Sequence, residues 1–119
     1  MDFRLNTFSV DGSNEFSASS ITYLKNCVHF GIFFASLDLD FMRYPRLIVC
    51  DNMEDKGMEE ARSQNFQTAV SRLSKEANVP HQIIFTTSMI AHELNTSPPC
   101  IGQQFDENHK SLRTERARQ

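Results

Sequence analysis

Two short runs of apolar residues in the middle of the chain each lead into polar residues. The first run, at 47–50, reads Leu-Ile-Val-Cys and is followed by Asp51. The second run, at 83–85, reads Ile-Ile-Phe, follows Gln82 and is followed by two threonines and a serine at 86–88. Short continuous apolar runs of this length are typical of buried β-strands. We therefore expect buried strands over 47–50 and 82–85, although an isolated half-domain would expose the sheet edge and face that a missing half covers.

The segment between the two strands carries apolar residues at the spacing of one helical face. These residues are Met58, Ala61, Phe66, Ala69, Val70, Leu73 and Ala77. A strand, a helix and a second strand in this order predict a parallel crossover unit. In open α/β sheets, ligands bind where the strands end at their carboxyl edges. We therefore expect Asp51 and the 86–88 turn to lie at one edge of the sheet.

The segment before the first strand predicts two further elements. Residues 3–10 alternate roughly between apolar and polar, which favours an edge strand. A serine-rich stretch at 17–20 comes directly before apolar residues at helical spacing between Ile21 and Ala35. Serine in this place is a helix cap. The sequence therefore predicts a helix that begins just after Ser17.

The C-terminal part of the chain predicts shorter elements. Ser88 is placed to cap a short helix over 89–94, and residues 101–105 favour a last strand. Residues 106–119 are mostly charged, which is typical of a solvated tail. The predicted organisation is one domain over 1–105 followed by this tail.

Size, charge and hydropathy limit the classes of function. A chain of 119 residues, 39% of them apolar, is large enough for one domain with its own core. The net charge of -3 gives no general attraction to nucleic acid, so contact with DNA would need a local patch or a partner. The longest apolar stretch, at 28–37, is about half of the ~20 residues that a membrane span needs. We expect no membrane span and no secretory signal.

The cysteines indicate a reducing compartment. Cys27, Cys50 and Cys100 are odd in number, far apart and without a C-x-x-C pair. This spacing argues against both a disulfide framework and a zinc site. The cytoplasm is therefore the expected location.

The order of these parts resembles the C-terminal half of an ABC-type ATPase head of the SMC, RecF and RecN kind. The shared parts are a serine-rich turn that opens a helix, an apolar strand ending in Asp51, a glycine-containing loop, and an apolar strand ending in threonines. The resemblance covers about residues 3–105. It implies an α/β fold with a mainly parallel sheet flanked by helices, forming the C-terminal lobe of a P-loop NTPase. It also implies ATP and Mg²⁺ as ligands.

The resemblance implies that the loop after the first strand carries the metal-binding and catalytic residues. Asp51 ends the strand that matches the Walker B motif and would hold Mg²⁺, which takes few carboxylates and keeps several waters. Asn52 stands where the family normally has a glutamate that acts as general base. An amide can orient a water but cannot accept its proton. Glu54, two residues further on, is therefore the alternative base.

The resemblance also implies phosphate contacts on two other turns. Ser17, with Ser19 as a second candidate, lies in the place of the signature turn, which meets the γ-phosphate bound by a partner head. Thr87 and Ser88 lie in the place of the switch region, where Ser88 replaces the usual histidine. Residues 55–57 lie where the family's dimer-contacting D-loop begins.

One part of the family pattern is absent from this sequence. No G-x-x-x-x-G-K-[ST] motif occurs, because the four glycines are isolated and none is followed by Lys-Ser or Lys-Thr. The resemblance then implies that a Walker A-bearing N-terminal half, or a second head, completes the site in a homo- or heterodimer. The chain alone is expected to hydrolyse ATP poorly or not at all. The implied process is DNA repair, DNA maintenance or defence against foreign DNA.

The residues themselves leave other interpretations open. Asp51 fits a simple cap of the following loop, and the serines at 17–20 fit a plain N-cap. The whole chain also fits a non-catalytic interaction or scaffold protein that keeps an ATPase-like fold. A flavodoxin-like or receiver-like domain would also use an aspartate at a strand end, but such domains need about five βα units and this chain shows about two.

Overall fold

The computed structural model describes residues 16–54 and 57–101 as a mixed α/β arrangement of three helices and two strands. In chain order these elements are α1 (Ala18–Asp38), β1 (Leu47–Cys50), α2 (Glu60–Glu76), β2 (Gln82–Phe85) and α3 (His92–Asn95). The predicted strand over 3–10 and the charged tail over 106–119 lie outside the described residues. Of the predicted strand over 101–105, only Ile101 is described, and it is 95% exposed and in no strand.

The predicted parallel crossover is confirmed. Strands β1 and β2 pair in parallel and form a two-stranded sheet, with helix α2 between them in the chain. Cys50 is opposite Phe85 in the register of the sheet. The residues that follow these two, Asp51 and Thr86, therefore lie side by side at the carboxyl edge of the sheet.

The core lies between the sheet and the two long helices. Phe30 of α1, Phe66 and Val70 of α2, and Met53 of the loop after β1 form its buried centre. The rings of Phe30 and Phe66 meet edge to face, with centroids 5.4 Å apart. The partly buried side chains that pack against this centre come from α1 and both strands: Tyr23, Cys27, Phe34, Ile48, Cys50, Ile83 and Phe85.

The expectation that both strands are buried is wrong, because their residues alternate between exposed and partly buried. Alternate positions of the sheet face away from the core, and Leu47 is 46% exposed, Val49 61% and Ile84 45%. The reason is that the apolar faces of α1 and α2 pack on the same side of the sheet. An apolar run in a parallel strand usually means cover on both faces, whereas the described residues cover only one.

The predicted cap of α1 is confirmed. Ser17 is the N-cap residue, and its side-chain oxygen accepts a hydrogen bond from the backbone N–H of Ser20 at 3.2 Å. This bond satisfies one of the N–H groups that have no partner inside the helix.

The sequence predicted a helix over 89–94 with Ser88 as its cap, and the predicted start of this helix is wrong. Helix α3 begins only at His92, with Ala91 as N-cap residue. The reason is that side chains from elsewhere already bind the backbone of 88–91. The N–H of Ser88 donates to Glu54, and the N–H of Ala91 donates to Gln67. These bonds hold the chain in an irregular turn until Ala91.

The predictions about disulfide bonds and about membrane spans can both be compared with the described residues. The three cysteines are free, as predicted. None of the helices within 16–54 and 57–101 combines the length and the apolar character that crossing a membrane requires.

Candidate functional site

Asp51 and Thr86 form a hydrogen-bonded pair at the carboxyl edge of the sheet. The hydroxyl of Thr86 donates to Oδ1 of Asp51 at 2.5 Å, and both side chains are exposed. The backbone N–H of Thr86 also donates to the carbonyl of Cys50 at 3.0 Å, which extends the sheet pairing by one residue. The strand ends therefore present a carboxylate to solvent in a defined orientation.

Glu54 lies behind this pair, in the loop after β1, and is only 5% exposed. Its Oε2 accepts hydrogen bonds from the hydroxyls of Thr87 at 2.7 Å and Ser63 at 3.3 Å. Its Oε1 accepts the backbone N–H of Ser88. Burial raises the pKa of the Glu54 carboxyl, but the hydrogen bonds from Thr87 and Ser88 outweigh it, so the net pKa lies below the usual value. The carboxylate is thus ionised at neutral pH and fully engaged within the protein.

The hydroxyl of Thr87 uses all of its hydrogen-bonding capacity inside the protein. It donates to Glu54 and accepts from the side-chain amide of Gln67 and from the backbone N–H of Met89, both at 3.1 Å. A hydroxyl has one donor and two acceptor positions. A phosphate contact by the Thr87 hydroxyl would therefore have to replace one of these bonds.

Gln67 connects helix α2 to the turn after β2. Its side chain is completely buried. The two hydrogens of the amide nitrogen are shared among three acceptors, which are the hydroxyl of Thr87 at 3.1 Å, the carbonyl of Met89 at 2.9 Å and the hydroxyl of Ser63 at 3.0 Å. The amide oxygen accepts the N–H of Ala91 at 2.9 Å. Because α2 is a regular helix of 17 residues, these bonds fix the turn to a rigid element.

The loop that carries Asp51 is held from a second side by Asn26 of helix α1. The side-chain amide of Asn26 donates to the carbonyl of Met53 at 2.8 Å. The N–H of Met53 donates to the carbonyl of Thr86 at 3.1 Å. Within the loop, the side-chain oxygen of Asn52 accepts the N–H of Glu54 at 3.2 Å. Both long helices therefore position the carboxyl edge.

The structure brings five of the seven residues predicted for the site together at this edge: Asp51, Asn52, Glu54, Thr87 and Ser88. The other two, Ser17 and Ser19, lie at the N-terminus of α1. Their hydroxyls are 3.2 Å apart, and the Ser17 hydroxyl also donates to that of Ser20 at 2.9 Å. No hydrogen bond among the described residues connects them to the carboxyl edge.

Of the predicted D-loop position, only Gly57 is described. Asp55 and Lys56 lie outside the described residues. Gly57 has a φ of 75°, a left-handed conformation in which side chains are strained. This conformation explains why glycine is favoured at this point of the loop.

Three residues that matter at this edge were missed by reasoning from the sequence: Asn26, Ser63 and Gln67. Ser63 and Gln67 lie on the buried face of α2 together with Phe66 and Val70. Their positions follow the spacing i, i+3, i+4, i+7 of one helical face. Two polar residues within that apolar stripe were the signal, because a buried polar side chain needs hydrogen-bond partners.

The donor set at the carboxyl edge consists of the exposed carboxylate of Asp51 beside the hydroxyl of Thr86. Within 16–54 and 57–101, no group of three or more His, Cys, Asp or Glu side chains is placed to hold a metal ion. Zinc sites in proteins need such a group, whereas Mg²⁺ keeps several waters and is bound by one or two carboxylates plus phosphate oxygens. The single exposed carboxylate of Asp51 is compatible with a magnesium site of this kind.

Comparison with known proteins identified no relative of this chain. No protein-family model matches the chain, and no curated protein and no solved structure matches it either.

Proposed function

We propose that this chain is the C-terminal lobe of an SMC/RecF-like ATPase head and that its carboxyl edge binds the magnesium ion of Mg·ATP. The observation that supports this most strongly is the pair formed by Asp51 and Thr86. A solvent-exposed carboxylate at the end of one parallel strand is held by a hydroxyl at the end of the neighbouring strand. This is the edge at which α/β sheets bind their ligands.

In this proposal, Asp51 binds Mg²⁺ through its exposed carboxylate, either directly or through a water. The ion, when bound, offsets the negative charge that ATP carries at its β- and γ-phosphates. Thr86 keeps one carboxylate oxygen of Asp51 in place. The backbone of Met53 accepts a hydrogen bond from Asn26 and donates one to Thr86. These two bonds keep the loop after Asp51 beside the end of β2.

The same proposal predicts little or no hydrolysis by the chain alone. Asn52, at the family's usual base position, has no titratable group. Glu54 is ionised, but its two oxygens accept bonds from Thr87, Ser63 and Ser88. A carboxylate with a lowered pKa and no free oxygen is a poor proton acceptor. Hydrolysis would then depend on Glu54 leaving these donors when a complete site forms.

The missing phosphate cradle would come from a Walker A-bearing half or from a second head. The N-terminus of α1, with Ser17 and Ser19, then faces the γ-phosphate bound by the partner, because helix N-termini favour anions. Ser88 contributes from the turn after β2. A role of this complex in DNA repair, DNA maintenance or defence follows from the resemblance alone.

A second candidate function, a non-catalytic interaction protein, is favoured by the open face of the sheet. Leu47, Val49 and Ile84 expose between 45% and 61% of their surface there. Parallel sheets are normally covered on both faces. In the ATPase proposal the missing half covers this face, whereas in the interaction proposal any partner does. The two proposals differ in whether Asp51 matters for nucleotide.

The test is a titration of the isotopically labelled chain with MgATP, in which NMR spectra of the backbone amides are recorded at each step. The variant Asp51→Asn and the control Asp40→Asn are titrated in the same way. Asp40 is also exposed but lies in the connection before β1. Because the phosphate cradle is missing from this chain, the proposal predicts only weak shifts, at millimolar MgATP, confined to 51–54 and 86–88 in the wild-type chain and in Asp40→Asn, and their loss in Asp51→Asn. Equal shifts in all three proteins, or tight saturable binding by the chain alone, would contradict it.

A further inference from the structure

Gln67 is the most completely engaged polar side chain in the described part of the molecule. It is 0% exposed and takes part in hydrogen bonds with four other residues. Three of these partners, Thr87, Met89 and Ala91, belong to the segment that follows β2. A buried amide of this kind fixes the geometry of whatever it binds, because each broken bond would leave a polar group without water or a partner.

The hydrogen bonds at Thr87 determine the direction of its hydroxyl proton. Two N–H groups, from the side chain of Gln67 and the backbone of Met89, donate to the Thr87 oxygen. Both acceptor positions are thus filled, and the one remaining hydrogen points to Oε2 of Glu54. Gln67 therefore acts on Glu54 through the Thr87 hydroxyl, and also through the Ser63 hydroxyl, which accepts from Gln67 and donates to Glu54. Of the two hydroxyls, only that of Thr87 belongs to the turn after β2.

Glu54 in turn fixes the turn after β2 to the loop after β1. Its other oxygen, Oε1, accepts the N–H of Ser88. The donors that the described residues supply to this buried carboxylate are a backbone N–H and hydroxyls, all of them neutral. With no charged donor among them, the stability of the arrangement depends on each neutral donor having the correct orientation.

We propose that Gln67 is a positioning residue that sets the Thr86–Ser88 turn against the Asp51 loop, acting through the hydroxyl of Thr87. The residue does not touch a ligand in this scheme. Instead, Gln67 determines the positions of Thr86 and Ser88 relative to Asp51. The proposal rests on the proposed function only for the identity of the ligand that this edge receives.

The experiment measures amide hydrogen exchange in the chain without nucleotide. The reporter is the N–H of Ser88, which donates to Glu54. The reference is the N–H of Gln82, which donates to the carbonyl of Arg46 at 2.8 Å at the opposite end of the sheet. The ratio of the two rates separates a local opening of the turn from a general loss of stability.

The first variant is Gln67→Met, which keeps the length of the side chain and removes its hydrogen bonds. We expect the Ser88 rate to rise about tenfold relative to the Gln82 rate, as the loss of one buried hydrogen bond implies. The matched control is Gln64→Met, one turn away on α2, where the amide donates to Glu60 and Ile90 but not to Thr87. An unchanged ratio in Gln67→Met, or an equal rise in Gln64→Met, would overturn the proposal.

The second pair of variants tests the route through Thr87. Thr87→Val removes the hydroxyl and keeps the shape, so the Ser88 rate should rise as it does in Gln67→Met. Thr87→Ser restores a hydroxyl and should return the rate to that of the wild type. If Gln67→Met does not fold, this pair decides the question, and equal rates in Thr87→Val and Thr87→Ser would overturn the proposal.

The double variant Gln67→Met/Thr87→Val separates a connected route from two independent contributions. Because Gln67 is proposed to act through Thr87, the relative Ser88 exchange rate in the double variant should exceed the rate in the faster single variant by less than about threefold. A double effect equal to the product of the single effects would mean that the two residues act separately. Since no nucleotide is present, a chain that shows the predicted exchange pattern but whose response to MgATP is unchanged by Asp51→Asn would contradict the proposed function and leave the role of Gln67 intact.

Discussion

The hydroxyl of Thr87 donates a hydrogen bond to Oε2 of Glu54 over 2.7 Å, and this bond joins the turn after β2 to the loop after β1. The two segments are 33 positions apart in the chain. Both follow directly from the carboxyl ends of paired parallel strands. The bond belongs to a buried polar set, with Ser63 and Gln67 from α2, that lies directly beneath the exposed Asp51.

The lowered pKa of Glu54 predicts a dependence of stability on pH. Because the pKa is lower in the folded chain than in the unfolded chain, the ionised carboxylate adds stability that is fully present above the unfolded value. This stability is lost as the pH falls through the folded value. We expect the contribution of Glu54 to the free energy of unfolding, measured by urea denaturation, to decrease as the pH falls below the ordinary value of a glutamate carboxyl.

The variant Glu54→Gln isolates this contribution, because it keeps the shape and removes the charge. At pH 7 we expect it to lower the free energy of unfolding by about 2 kcal/mol, as hydrogen bonds to a charged group are worth about that much. The difference from the wild type should shrink as the pH falls through the folded value. The control is the exposed Glu93→Gln. A Glu54→Gln variant that is as stable as the wild type at pH 7 would contradict the assignment.

The bond from Asn26 to the carbonyl of Met53 predicts that α1 stabilises the Asp51 loop. Asn26→Leu removes the donor and leaves the part-buried Met53 carbonyl without its side-chain partner. We expect a loss of about 1–3 kcal/mol in the free energy of unfolding. Asn65→Leu, at an exposed position of α2, makes the same change of side chain and should have little effect. Equal losses in the two variants would show that the bond to Met53 adds nothing.

The N-cap of α1 predicts separate outcomes for two neighbouring serines. Ser17→Ala removes the side-chain oxygen that accepts the N–H of Ser20 and should cost about 1 kcal/mol. Ser19→Ala leaves that bond in place and should cost much less. Thermal denaturation of the chain alone measures this difference. A stronger effect of Ser19→Ala would show that the capping bond is unimportant.

The same two variants also separate the two interpretations of this turn. If the turn is only a cap, neither variant changes the behaviour of a completed complex beyond its effect on stability. If the turn meets a partner's phosphate, both variants weaken nucleotide-dependent association by more than the loss of stability explains. Association can be followed by sedimentation with and without ATP.

The local pattern of the chain predicted the elements that depend on short-range information. The boundaries of β1 and β2 and the position of α2 follow from apolar runs and from helical spacing. The start of α1 follows from the serine that caps it. Asp51 was identified because a parallel crossover brings two strand ends to one edge.

The start of α3 and the exposure of the strands were not predictable in this way, because both depend on contacts between distant segments. The N–H of Ser88 binds Glu54, which is 34 positions away, so Ser88 does not serve as a cap. The exposure of Val49 depends on which side of the sheet the helices cover. Gln67 carried a local signal, a polar residue in an apolar stripe, but its partners belong to a turn about twenty residues away.

The central claim, that Asp51 and its neighbours form a magnesium-nucleotide site, is tested most directly by paramagnetic line broadening with Mn²⁺·ATP. Mn²⁺ takes the same oxygen ligands as Mg²⁺ and broadens the signals of nearby nuclei. The account predicts selective broadening of the amide signals of Asp51, Asn52 and Thr86 in the wild-type chain, and its loss in Asp51→Asn. Broadening that persists in Asp51→Asn, or that affects other parts of the chain equally, would contradict the account.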